Sequence, residues 1–284
     1  MNVAVSFNDR YLRYACVALA SLLENSSSPI AVHVLTADLS EESKDILRRL
    51  FTAFPGADLA ISQVGADMFA DIDLSAFHMS KETFFRFLLP DILPSVDRIL
   101  YLDVDLIVRG DAAEVYAHPL DGALAAAVRD LWLDSEEPTG LKQKIGLSAS
   151  DTYVNAGVML IDLAAWRTES IGSRATRLMS GHDAEFPYFD QDVLNVLLKG
   201  RMRILDDRWN FTTWNYERQK AMRKKAEILH FTGREKPWSH HSRRWRDCEW
   251  ERYRLLAEHV LRTGRRPSWW RKALHSLRAR YVGT

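Results

Sequence analysis

Two cysteines, Cys16 and Cys248, are all that the 284 residues contain. They lie far apart in no metal-like pair, so a disulfide scaffold and a cysteine-ligated metal are both excluded. A reduced, cytoplasmic setting is expected. Net charge is lacking too: 38 basic residues balance 38 acidic ones. That removes the overall field of a nucleic-acid or polyanion binder, and no nucleic-acid partner is expected. No uninterrupted apolar run reaches about 18 residues, which argues against a membrane-spanning helix. The opening MNVAVSFNDRYL has neither the basic start nor the apolar length of a signal peptide. Internal repeats and low-complexity tracts are missing. The turn VSFNDRY has no glycine, which excludes a dinucleotide loop of the G-x-G-x-x-G kind.

What is present is apolar content, 47% of the chain, enough to bury a large core. The length suits one α/β domain of roughly 200–250 residues plus an appendage. Short apolar runs at 3–7, 30–39, 58–64, 99–102, 123–128 and 227–233 predict strands, and 153–167 reads as a strand running into a helix start. Helical spacing predicts helices over 11–26, 40–51, 81–94 and 189–200, with Ser40 as an N-cap, Pro94 as a stop and Gly200 as a C-cap. The β-α-β-α-β alternation predicts a doubly wound, mostly parallel sheet flanked by helices. A boundary falls near 263–267, dividing a main domain (1–262) from a basic C-terminal segment (263–284).

The stretch ILYLDVDLIVRGD (99–111) ends an apolar strand in two acids. In a strand, residues i and i+2 face the same way, about 6.5 Å apart at Cα. Asp103 and Asp105 therefore converge, and two carboxylates there repel unless a cation lies between them. Their hard oxygens suit Mg²⁺ or Mn²⁺, ions commonly shared with a substrate phosphate. Open α/β sheets also bind ligands just beyond the carboxyl ends of strands. D-x-D is nonetheless cheap: DID at Asp71–Asp73 reads as a solvated loop, and DQD at Asp190–Asp192 as acids capping a helix start. A dehalogenase-type phosphohydrolase also carries D-x-D after a strand, its first Asp a nucleophile. Leu106 in place of a hydroxyl residue, and the hundred residues upstream, argue against that reading.

Seven ordered pieces resemble glycosyltransferase family 8, the group that includes glycogenin, with the closest likeness to bacterial lipooligosaccharide α-galactosyltransferases. They are FNDRYLRYACVALASL, HMSKETFFRFLLPDILPSVDRILYLDVDLIVRGD, LKQKIGL, YVNAGVMLIDLAAWR, DQDVLNVLLKG, RWNFTTWNY and LHFTGREKPW, spanning most of 1–245. The resemblance implies a nucleotide-binding, Rossmann-like α/β fold of GT-A type. It implies a retaining transferase that moves galactose or glucose from a UDP-sugar to a saccharide acceptor, such as a lipopolysaccharide or lipooligosaccharide core, with Mn²⁺ (or Mg²⁺) as cofactor. Asp103, Asp105 and His230 match metal ligands, and Val104 lies between the first two. Ser6, Asn8, Arg10 and Tyr11 match the uridine pocket. Many relatives carry an acid where Asn8 stands, and an amide can both donate and accept. Arg86 matches a grip on donor phosphate and sugar. Gly233 and Lys236 match the diphosphate contacts. Asp130, Asn155, Ala156, Asp190 and Gln191 match residues around the transferred sugar. His78, Tyr188, Thr213 and Trp214 fall at or beside acceptor positions, Trp214 replacing a small polar residue.

Retention needs front-face attack or two inversions. The matched back-face group is Gln191, a poor nucleophile, which favours the front-face route, with Asp190 as the rival covalent nucleophile. A non-catalytic sugar-nucleotide binder is the remaining alternative. In PSWWRKALHSLRARYV (267–282), Trp270, Ala273, Leu274, Leu277 and Tyr281 share one helical face opposite Arg271, Lys272, His275 and Arg278. Such a helix suits an anionic membrane surface, so a peripheral position at the inner face of the plasma membrane is expected.

Overall fold

The computed structural model describes residues 1–65, 80–136, 140–180, 186–239, 245–267 and 270, without the side chains of 136 and 245–248. The strands are β1 (Asn2–Ser6), β2 (Ile30–Thr36), β3 (Ala57–Gln63), β4 (Arg98–Leu102), β5 (Leu106–Val108), β6 (Ala125–Arg129), β7 (Val154–Asp162), β8 (Met202–Leu205), β9 (Phe211–Thr212) and β10 (Ile228–His230). Seven form one sheet in the order β3-β2-β1-β4-β7-β6-β8. β1 is parallel to β2 and β4, β2 to β3, and β6 to β8. β7 runs antiparallel to both β4 and β6. The sheet is thus mostly parallel, with the expected alternation in its first half. A second sheet, β5-β10-β9, lies beside it.

Both faces of the central strands are covered, so their sequences read as apolar runs rather than alternating ones. Val3, Val5, Leu100 and Leu102 point to one layer with the helices Leu12–Asn25, Glu41–Thr52 and Trp245–Thr263. Ala4, Ile99, Tyr101, Met159 and Ile161 point to the other, with Phe84, Phe85, Phe87, Trp166 and Val193. Ser40 does cap its helix, its hydroxyl accepting the Ser43 N–H at 3.2 Å. The helix expected over 81–94 is instead a 3-10 helix, Lys81–Leu88, followed by one α turn, Leu89–Ile92. Its tight coil presses Phe84, Phe85 and Phe87 together with Arg86 into the interior. The helix Phe189–Leu197 stops before Gly200, which sits just beyond it in the left-handed conformation at φ +70°. No described helix is long and apolar enough to cross a membrane.

The sequence reading assigned Trp270 to a membrane-facing stripe. Trp270 is instead buried, its ring 6.0 Å from Tyr253 and under the Arg252 guanidinium. The physical reason is local: Arg252 and Tyr253 on the helix Trp245–Thr263 offer a cation and a ring against which the indole packs. The segment 71–73, His78 and the tail after 270 lie outside the described residues.

Candidate active site

Because β1 and β4 are parallel neighbours, Asn8 and Asp103 emerge at the same carboxyl edge of the sheet. Asp103 follows β4 and Asp105 precedes β5. The register of the second sheet sets His230 opposite Leu106, and the Phe231 N–H bonds the Asp105 carbonyl at 2.9 Å. That pairing brings an imidazole 125 positions away to the acidic pair. The ligand atoms of Asp103, Asp105 and His230 all lie within 4.8 Å of one another. The His230 Nε2 is 3.1 Å from Asp105 and 3.6 Å from Asp103.

A chain of amides fixes the imidazole. Asn155 Oδ1 accepts the Gly157 N–H at 3.0 Å, which sets which end of that carboxamide is oxygen. Asn210 Nδ2 therefore donates to Asn155 Oδ1 at 2.8 Å, and Asn210 Oδ1 turns to His230 Nδ1 at 2.9 Å. Nδ1–H then donates to Asn210, and Nε2 is the ring atom turned toward the carboxylates, the one a metal would take. Space is reserved as well. A Cβ on Gly157 would lie 2.6 Å from Asp103 Oδ2 and 2.2 Å from His230 Cε1. Two carboxylates, an imidazole oriented by Asn210 and a cradle that only glycine leaves open fit a hard or borderline divalent cation.

Arg86 is the positive centre beneath this cluster, 2% exposed. It pairs with Asp103 at 2.9 Å and Asp190 at 3.0 Å, donates to the Ala156 carbonyl at 2.6 Å, and lies over the Tyr101 ring at 4.1 Å. Burial opposes its charge, yet Asp190, Tyr101 and Asp103 hold its pKa above the ordinary value. Burial pushes the Asp190 carboxyl up to about 7, with Arg86 opposing and Asp103 adding to the rise. For Asp105 the balance reverses. Burial would raise it, but Lys236 at 2.6 Å and then His230 hold it well below the usual carboxylate range. Asp190 does not cap its helix as the sequence reading supposed. Asp192 does, accepting the Tyr188 N–H at 2.7 Å. Phe189 between them has φ +52°, a conformation that a bulky side chain avoids. The strained turn aims Asp190 at Arg86 and Gln191 at the sheet.

On the adjoining wall, Asp130 accepts from Asn155 Nδ2 at 3.1 Å and from the Leu133 N–H at 3.2 Å. Gln191 Oε1 is taken by the Ala156 N–H at 3.1 Å, and its amide nitrogen faces the Tyr153 hydroxyl at 3.3 Å and Asp130. A β-bulge at Ala127/Val128 shifts the register so that Val128 meets Asn155, which swings Asn155, Ala156 and Gly157 toward the cluster. At the β1 end, the buried Ser6 hydroxyl bonds Tyr101 at 2.9 Å, while Arg10 and Tyr11 are exposed. Val104 is buried. Gly233 holds φ +83° in open space, so a turn rather than crowding selects glycine there. Lys236 Nζ also donates to the Phe231 carbonyl at 2.7 Å. Trp132 lies 5.8 Å from Trp214 and 6.2 Å from Tyr188 by ring centroids, making an aromatic wall near Asp130.

Gly157, Asn210, Tyr101 and Tyr153 are site residues the sequence reading missed. Tyr101 carried a signal: it is i−2 from Asp103 and so shares its strand face. Gly157 and Asn210 carried none without the fold.

Two outcomes check this geometry. Gly157→Ala should retain the fold by circular dichroism, since the backbone there does not require φ > 0. Mn²⁺ affinity, titrated by electron paramagnetic resonance, should fall about tenfold or more. Unchanged affinity would show that the reserved space is not used. Asp190 supplies the second outcome. Folded, it holds a proton up to about pH 7, and unfolded it releases one near 3.8. Between those values the native state binds more protons, so its contribution to stability is lost as pH rises. The melting temperature of Asp190→Asn relative to the metal-free natural chain should therefore climb from pH 4 to pH 7 and level off above. A difference independent of pH would mean that Asp190 is ionised throughout.

Known proteins resemble the chain in sequence and fold. The chain is 33% identical over 174 residues to a lipopolysaccharide 1,2-glucosyltransferase of Escherichia coli K12, covering 56% of this chain and 49% of that one. It is 26% identical over 250 residues to a lipopolysaccharide 1,3-galactosyltransferase of Salmonella typhimurium LT2, covering 84% and 72%. Among solved structures, the galactosyltransferase LgtC with donor and acceptor sugar analogues superposes with a TM-score of 0.79 at 29% identity, over 96% of this chain and 99% of that one. The family model for glycosyl transferase family 8 matches residues 2–242, and the chain belongs to that family.

Proposed function

We propose that the protein transfers a hexose, galactose or glucose, from a UDP-sugar to a saccharide acceptor of a lipopolysaccharide or lipooligosaccharide core, with retention at the anomeric carbon. The observation that carries the reading is the Asp103–Asp105–His230 cluster beside the buried Arg86–Asp190 pair, in a chain of this family. Asp103, Asp105 and His230 would hold Mn²⁺, or Mg²⁺, which when bound neutralises diphosphate charge. The His230 donor favours Mn²⁺. Lys236, 2.6 Å from Asp105, is the ammonium that would pair with the leaving diphosphate. Arg86, Asp130, Asn155, Ala156, Asp190 and Gln191 orient the sugar. Ser6, Asn8, Arg10, Tyr11 and Val104 form the nucleoside end, and the Gly233 turn lets the backbone approach the phosphates.

The side chains favour front-face transfer. Gln191 commits its oxygen to the Ala156 N–H, and an amide oxygen is a poor nucleophile. Asp190 is bound to Arg86 and pushed toward its protonated form, which weakens it as a nucleophile too. In this reading the acceptor hydroxyl bonds to the anomeric carbon on the face that UDP leaves, and its proton passes to the departing phosphate oxygen. Tyr188, Thr213, Trp214 and Trp132 would flank the acceptor. The dehalogenase alternative needs Asp103 as a free nucleophile, whereas Asp103 is paired with Arg86.

With Mn²⁺, UDP-galactose or UDP-glucose and lactose-terminated or core acceptors, the protein should release UDP and form an α-linked product by NMR. Asp103→Asn should lower turnover by on the order of 10²-fold. Tight UDP binding without turnover on any acceptor would favour a non-catalytic binder, and a glycosyl adduct on Asp190 would favour double displacement. Membrane attachment through the basic residues after 270 belongs to the same proposal. Removing 271–284, which spares the packed Trp270, should abolish salt-sensitive binding to phosphatidylglycerol vesicles. Undiminished binding would remove the tail from the reading.

A further inference from the structure

Five basic residues fall between positions 218 and 225, and no acid interrupts them: Arg218, Lys220, Arg223, Lys224 and Lys225. Like charges at this density repel, and a surface that only has to stay soluble mixes both signs. The fold does not disperse them. It winds them into a compact double turn, the helix Thr213–Arg218 followed by a 3-10 turn at Lys220–Met222. The Gln219 N–H donates to the Asn215 carbonyl at 2.7 Å, and the Lys225 and Ala226 N–H groups donate to the Met222 carbonyl at 2.9 and 3.1 Å. Met222 packs against the larger apolar cluster and anchors the turn. Arg223 is spent inward: its Nε donates to the Tyr216 carbonyl at 2.6 Å, and its guanidinium lies over the Tyr216 ring at 4.0 Å. Arg218, Lys220, Lys224 and Lys225 are exposed. The flanking acids are two, Glu217 and Glu227, and the second is folded in against Gly110. Five charges against two leave the turn positive.

Its neighbours say what it borders. The Arg218 guanidinium lies 3.2 Å over the Trp214 ring, and that ring faces Trp132. The basic turn therefore begins at the aromatic wall assigned to the acceptor. On its other side, Arg109 Nη1 donates to the Arg223 carbonyl at 3.2 Å. Arg109 follows Val108, whose carbonyl accepts Asn25 Nδ2 at 2.9 Å, and the same nitrogen donates to the Tyr253 hydroxyl at 2.7 Å. Tyr253 carries Trp270, from which the basic tail departs. The root of the tail, the basic turn and the acceptor wall are thus contiguous.

We propose that the turn 218–225 is a second membrane contact, which takes the phosphate headgroups of an anionic bilayer and, together with the tail, holds the acceptor wall against that bilayer. Ammonium groups on flexible stems pair with headgroup phosphates without needing fixed geometry. Arg218 stacked on an indole suits the boundary between headgroups and water, where tryptophan collects. A saccharide carried on a lipid would then meet the site without leaving the membrane. This inference deepens the membrane reading above and rests on it, but it requires no transfer step.

The test is lysine acetylation of the full chain, read by mass spectrometry with and without phosphatidylglycerol vesicles at low salt. Lys220 and Lys225 should be protected severalfold. Lys199, beside a helix on the opposite face of the sheet, should react as before. In vesicle sedimentation, Lys220→Gln with Lys225→Gln should weaken partitioning roughly 20-fold, at about fivefold per surface charge. Arg174→Gln with Arg177→Gln removes the same charge from the helix Ile171–Ser180 across the sheet and should change little. Equal losses in the two double variants would reduce the effect to net charge and overturn the inference. Protection reproduced by phosphatidylcholine vesicles, or by inorganic phosphate alone, would overturn it as well. Unprotected lysines in a chain that still sediments with the vesicles would remove the turn and leave the tail reading standing. A chain that does not sediment at all sinks both. None of these readouts depends on UDP-sugar turnover.

Discussion

Two carboxylates placed two residues apart at the end of a buried strand repel each other, and the site is organised around that repulsion. Asp103 and Asp105 share a face because strand geometry requires it. Positive charge reaches each from a different layer. Arg86 comes from the helical layer below the sheet, and Lys236 from the loop after β10. His230 closes the gap between them through Nε2. A divalent cation at this point would meet oxygens already gathered and an imidazole already aimed through Nε2, so little ordering would remain to be done on binding.

The supporting groups form one continuous hydrogen-bonded chain from the sugar side to the cation side. Asp130 holds Asn155, Asn155 holds Asn210, and Asn210 holds His230. Arg86 ties the same strand, through the Ala156 carbonyl, to Asp103 and Asp190. Buried networks of this kind are stable only when every member is satisfied. That is why a backbone N–H, from Gly157 or Ala156, terminates two of the amides. The backbone bends to serve the network: the bulge in β7, opposite Ala127 and Val128, and the left-handed Phe189 both deliver side chains that regular geometry would send elsewhere.

Much of this was legible beforehand, for definite reasons. Apolar runs of strand length separated by helical periods identify a parallel sheet, and the first four strands fall within a few residues of their expected positions. The acidic pair is visible because its partners are near in sequence. The resemblance to the family supplied His230, Arg86 and Lys236, none of which spacing alone would single out. Trp270 misled, because an amphipathic period describes a face and not what covers it. The 3-10 coil of Lys81–Leu88 was read as α-helix because its phenylalanines suit either spacing.

By itself the sequence determined the layers, the carboxyl edge at which ligands gather, and the identity of the charges brought there, since these follow from local periodicity and residue chemistry. Tertiary structure alone decided the direction of each hydrogen bond. That His230 presents Nε2, that Asn8 turns its nitrogen toward Glu82, and that residue 157 leaves room for a cation all depend on neighbours dozens of positions away. A side chain's chemistry is written in its own residue, but which of its atoms faces a ligand is set by whatever occupies the others.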